Sequence, residues 1–207
     1  MELRVGLYEF FAYTLAGACY AVAAGAIDVL LYTTPTVFPA LAHLSVVQGV
    51  AVGVGTYVVG LILDLPARGL LRAVVRRHAQ PIVAEELVKS GVLSQKVADT
   101  PWELVLSELA TLHPSAVRHA DSYKAASILL RNAALAASGV TGIALVRLSS
   151  GAVSMLPGLA TVTAADAVTF IAGWESRKFD KWFYSTLYER LAFLRRYRPV
   201  HRQSSSE

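Results

Sequence analysis

The residues whose chemistry most needs an explanation are Arg131 and Asn132. They lie inside KAASILLRNAALAASGVTGIALVRL, an apolar run from Lys124 to Leu148. A charge placed in hydrocarbon costs at least about 3 kcal/mol unless it meets an opposite charge or water. The carboxylates that could answer Arg131 are few. Arg131 is seven residues past Lys124, about 10 Å along a helix. Asp166 precedes Arg177 by eleven residues, about 16 Å by the same rise. A guanidinium can bridge that difference in depth, so the expected partner is Asp166, with Asp64 or Glu9 as the alternative if the arginine bends back. Asp28, near the far end of its own run, is expected to be solvated. Arg131, Asn132 and Asp166 could thus form an ion pair that sets helix register, or line a water-filled path within one subunit or between subunits. Alternatively, Arg131 could snorkel to the lipid surface.

Other chemistry is sparse. The sequence contains no Gly-x-Ser-x-Gly, no Walker A loop and no His-Glu-x-x-His. Asp28 and Asp166 lie in apolar runs, as the aspartates of intramembrane proteases do, but the Gly-x-Gly-Asp pattern is missing and their depths differ. His113, His119 and Asp121 fit no standard zinc spacing. Cys19 stands alone, which rules out an intrachain disulfide and a Cys-x-x-Cys site. The expectation is a non-enzymatic protein with no metal and no cofactor.

The elements that carry these residues are membrane spans. Of the 207 residues, 55% are hydrophobic and 16% charged, against about 25% charged in a soluble domain; mean hydropathy is +0.48. No Asp, Glu, Lys or Arg occurs from Val29 to Leu63 or between Leu148 and Ala165. Runs of that length suit a hydrocarbon core of about 30 Å. Four spans are expected, over residues 7–31, 44–63, 125–146 and 152–173. The predicted class is an all-α polytopic membrane protein. Its parts are 1–63 with the first two spans, a helical cytoplasmic segment 64–124, 125–174 with the last two spans, and a basic, aromatic tail 175–207. The alternative for residues 1–26, a signal peptide, is disfavoured by Glu2, Glu9 and the aromatic residues Tyr8, Phe10, Phe11, Tyr13 and Tyr20.

Basic residues give the orientation. The segment 64–124 holds Arg68, Arg72, Arg76, Arg77, Lys89, Lys96, Arg118 and Lys124. The tail holds Arg177, Lys178, Lys181, Arg190, Arg195, Arg196, Arg198 and Arg202. The connection 32–43 has none. Positive segments remain cytoplasmic, so both termini and the middle segment are expected there, in an inner, plasma membrane. The net charge of +4 then reports lipid contact. Arg68, Arg72, Arg76 and Arg77 are expected to meet anionic headgroups. Nothing resembles a base-reading module, so nucleic acid is not an expected partner.

Within the middle segment, Pro81 is expected to break a basic helix that continues span two, and Gly91 to end a short one. Thr100-Pro101-Trp102-Glu103 reads as a capping box, and a long helix into span three starts after His113-Pro114. In the tail, Phe179, Trp182, Phe183, Leu187, Leu191 and Leu194 fall near one helical stripe, suited to packing on the middle segment. Gly17, Gly49, Gly53, Gly60 and Gly142 lie on faces where helices could approach closely.

Tyr8–Ala18 (YEFFAYTLAGA), Tyr57-Val-Val-Gly60 and Arg131-Asn132 together resemble a group of uncharacterised bacterial four-span inner-membrane proteins. In that group the second motif reads Tyr-x-x-Gly-His; here Leu61 replaces the histidine, and its role does not carry over. The resemblance implies the four-span plan and no activity. The expected function is self-assembly into a homo-oligomer, as a pore-forming or membrane-perturbing effector. A tether for a cytoplasmic protein, or an enzyme or transporter for a lipid or small solute, is the alternative.

Overall fold

The computed structural model describes residues 7–32, 36–74 and 79–197. Among them every regular element is a helix: α1 (Leu7–Leu31), α2 (Val37–Ala42), α3 (Val46–Val74), α4 (Ala79–Lys89), α5 (Gln95–Ala98), α6 (Trp102–Leu112), α7 (Pro114–Ser149) and α8 (Met155–Tyr197). Four stretches are long and apolar enough to cross a membrane: Tyr8–Leu31, Val46–Leu71, Pro114–Ser149 and Met155–Arg196. The fold is all-α with four spans. The contacts divide the chain into two compact units, Met1–Arg76 with Lys124–Phe179, and Arg77–Tyr123 with Asp180–Glu207.

In the first unit, α1 and α3 touch backbone to backbone. A Cβ on Gly17 would lie 1.7 Å from the Thr56 carbonyl oxygen, and one on Gly60 would lie 2.1 Å from the Tyr13 carbonyl oxygen. Only glycine permits that approach. Ring contacts flank it: Phe10 stacks on Tyr57 at 5.1 Å, and Tyr13 meets Tyr57 edge-on at 6.1 Å. Gly49, Gly53 and Gly142, also expected at helix contacts, have open space where a Cβ would stand. Among the described residues nothing lies close enough for a Cβ there to meet it. Small side chains also hold α7 to its neighbours. Ala12 of α1 packs on Ala125 and Ile128, and the Ser127 and Ser176 hydroxyls bond α7 to α8 at 3.1 Å. At the other end of α7, Arg147 Nε donates to the Leu30 carbonyl at 3.1 Å.

Asp28 is buried rather than solvated. Its Oδ2 accepts the backbone N–H groups of Thr36 (2.5 Å) and Val37 (2.9 Å). These are donors that the start of α2 leaves without helical partners.

The second unit has its own core. Val83, Leu93, Val97, Val105, Leu109 and Ala120 enclose Phe183, Leu187, Tyr188 and Leu191 of α8. The tail therefore packs on the middle segment. The buried stripe is centred one position round from the expected one, because it takes in Tyr188 and leaves Trp182 42% exposed. Burying Tyr188 requires partners for its hydroxyl: it accepts from Gln80 Nε2 (3.1 Å) and donates to the Thr100 carbonyl (3.4 Å).

Two local expectations change. Pro81 lies in the first turn of α4 rather than ahead of it, a position proline tolerates, and the end of the basic helix expected before it falls outside the described residues. The capping box is not formed: Thr100 Oγ1 donates back to the Lys96 carbonyl at 3.0 Å, and Pro101 precedes α6 without a side-chain cap. By contrast, Gly91 (φ +71°) ends α4 as expected, and Gly151 (φ +68°) plays the same part after α7. At each, the residue after the glycine donates to a carbonyl five positions back (Val92 to Leu87, Ala152 to Arg147). This is a Schellman turn.

The α1–α3 contact yields a direct test. Gly17→Ala and Gly60→Ala should each lower stability by about 2 kcal/mol or more, the upper range for overpacking. Gly49→Ala, with space to spare, should change it little. Thermal midpoints in a mild detergent check the ordering.

Candidate functional site

The polar cluster of the first unit is built around Asp64, near the end of span two and 3% exposed. Arg131 reaches it with two parallel bonds, Nε to Oδ1 at 2.6 Å and Nη2 to Oδ2 at 2.8 Å. Asn132 Nδ2 donates to Oδ1 at 3.1 Å. From within α3 itself, one turn on, Arg68 adds Nε (2.9 Å) and Nη2 (2.7 Å) to Oδ2. Arg131, Asp64 and Asn132 are all buried, whereas the Arg68 side chain is 44% exposed. A carboxylate offers about four lone-pair sites, and these donors fill them.

Asn132 is fully used as well. Its Nδ2 also bonds the Ile128 carbonyl (2.8 Å), and its Oδ1 accepts the Tyr20 hydroxyl (2.9 Å). Tyr20 sits three residues beyond Gly17 on α1. The cluster thus ties α1, α3 and α7 together at one level.

The expected Arg131–Asp166 pair is not formed. Asp166 is exposed, and its Oδ1 accepts from Thr141 Oγ1 at 3.0 Å. Glu9, the other alternative, pairs with Lys124 at 3.1 Å. Asp64 prevails because it is buried on the helix whose Gly60 packs against α1, whereas Asp166 is exposed. Arg131 and Asn132, adjacent on α7, both point to it. Arg131 and Asp166 do line one groove, with Ala67, Leu70, Leu71, Ala134, Thr169, Phe170, Gly173, Trp174 and Arg177.

Of the basic stripe, Arg68 is spent on Asp64 as described. The Arg72 side chain, Arg76 and Arg77 lie outside the described residues. His113 Nδ1 contacts Ser115 Oγ (2.9 Å) and the Ala116 N–H (3.3 Å), at the start of α7. His119 Nε2 contacts the Tyr123 hydroxyl at 3.1 Å. Among the described residues, no three His, Cys, Asp or Glu side chains cluster as metal ligands.

Chemically, the Asp64 cluster is a fastening. Its acceptors are saturated, and no nucleophile with a neighbouring base is part of it. Sequence reasoning missed Tyr20 and the central place of Asp64. The signals were present: Tyr20 one turn from a packing glycine, and Asp64 four residues before Arg68. No family model matches the chain, and no curated protein or solved structure is significantly similar to it.

Removing one partner of a buried pair costs about 3–5 kcal/mol, while replacing both is often neutral. Asp64→Leu should therefore destabilise the bundle by that amount, and Arg131→Leu by less, since Arg68 remains to pair Asp64. Asp64→Leu combined with Arg131→Leu should recover most of the loss, and Asp166→Leu should change little. Equilibrium unfolding in detergent micelles checks the series; a larger loss for Asp166→Leu than for Asp64→Leu would contradict it.

Proposed function

We propose that this chain is a non-enzymatic multi-pass membrane protein that works by self-assembly, with copies meeting along the α3 face that carries Gly49 and Gly53. One observation carries this reading, the contrast among the glycines of α3. Gly60 is filled by the backbone of α1, whereas Gly49 and Gly53 face open space. They do so on a helix whose Val46, Val47, Val50 and Val54 are 86%, 80%, 65% and 60% exposed. Two glycines four residues apart let helix backbones approach, and in lipid such packing drives association.

The site is a bacterial inner membrane with both termini in the cytoplasm, a reading supported by the placement of the basic residues and by the resemblance to bacterial four-span proteins. On this reading Arg68, Arg72, Arg76 and Arg77 stand at the level of anionic headgroups. A pore through one copy has no support from the Asp64 cluster, whose buried pair, Arg131 and Asp64, is spent on itself. The separate core of the second unit favours a second reading, a tether that recruits a cytoplasmic protein.

Native mass spectrometry of the intact complex separates the two. Assembly predicts a defined oligomer that Gly49→Leu with Gly53→Leu converts to monomer. A wild-type monomer would overturn assembly and leave the tether.

A further inference from the structure

The groove that Arg131 and Asp166 share is mostly apolar, with Thr169 and Arg177 as its other polar residues. The cavity volume is about 220 Å³, where a single water needs roughly 10–15 Å³ on the same measure. Leu70 and Leu71 of α3, Ala134 of α7, and Phe170 and Trp174 of α8 form the walls. Gly173 keeps it open: a Cβ there would stop 3.8 Å short of Leu71 Cδ1, so a longer side chain would run into the space.

At one end stands Arg177, whose Nε–H is buried and meets no acceptor among the described residues. A buried donor left without a partner is costly. Arg131, by contrast, has Nε and Nη2 committed to Asp64. At the other end, eleven residues back along α8, is the Asp166 carboxylate, about 16 Å away by helical rise. The groove therefore pairs a free cationic donor with a long apolar wall, and its second charge repels anions from the far end.

We propose that this groove binds one acidic phospholipid, with an acyl chain along Leu70, Leu71, Phe170 and Trp174 and the phosphate accepting from Arg177. An anionic oxygen is the strongest acceptor for a guanidinium N–H. Arg177 comes at the end of the apolar stretch of α8, next to Trp174, an aromatic type enriched at headgroup level. The site is independent of the glycine face of α3 and does not require assembly.

The test is native mass spectrometry of the full chain in mild detergent, titrated separately with dioleoylphosphatidylglycerol and dioleoylphosphatidylcholine. The wild type should retain one phosphatidylglycerol per chain, about tenfold more tightly than phosphatidylcholine, a difference of roughly 1.4 kcal/mol. Arg177→Gln should abolish the preference, Arg177→Lys should keep part of it, and Gly173→Leu should weaken retention of both lipids. Inorganic phosphate should not displace the bound lipid. Equal retention of the two lipids by the wild type overturns the proposal without recourse to any variant. So does a preference that survives in Arg177→Gln, or displacement by inorganic phosphate.

Discussion

A carboxylate buried between apolar helices must be neutralised where it stands, and much of the first unit is arranged around that need. Asp64 takes one guanidinium from its own helix and a second from α7, with an amide beside it. A two-bond arginine–carboxylate contact tolerates little rotation or sliding. It therefore fixes the register of α7 against α3. The Asn132 amide passes that constraint to α1 through the Tyr20 hydroxyl. Replacing the charges with leucine would keep the apolar packing but lose that register.

Close packing supplies what the polar cluster does not. Gly17 and Gly60 bring the α1 and α3 backbones into contact, and lipid offers little hydrophobic drive to hold helices together. Dispersion and polar bonds must then suffice, and both are strongest at short range. The same helix α3 that is committed to α1 on one side is almost bare on the other, with only 6% of its most apolar window buried. A surface that is lipid-facing, glycine-bearing and unpartnered suits a second helix as well as it suits acyl chains.

The sequence showed the four spans, the glycine-ended turn at Gly91 and the tail packing on the middle segment, because each rests on local pattern. Long uncharged runs mark spans, glycine supplies the positive φ, and aromatic and leucine residues at helical spacing mark a buried face. Pairing across helices was not local. Depth alone allowed Arg131 to meet Asp166, but the direction in which each side chain points about its helix decides the partner. Asp166 turns to Thr141 of α7 instead, a rotation that no window of α8 reveals. The glycines show the same limit: Gly17, Gly49, Gly53, Gly60 and Gly142 look alike as letters, and only the neighbouring backbone separates those that pack from those that do not. Asp28 was misread because its acceptors serve a short helix, α2, with no periodicity long enough to see.

The double pairing of Asp64 also bears on the order in which the chain is made. Arg131 follows Asp64 by 67 positions, so α1 and α3 are synthesised well before α7. During that interval Arg68, one turn away on the same helix, is the partner already in place. The first hairpin thus carries its acid with a counter-ion beside it, and Arg131 later adds two bonds to the same carboxylate. Arg68 is thus a counter-ion that Asp64 has from its own helix at every stage, and in the finished fold it remains the more exposed half of the clamp.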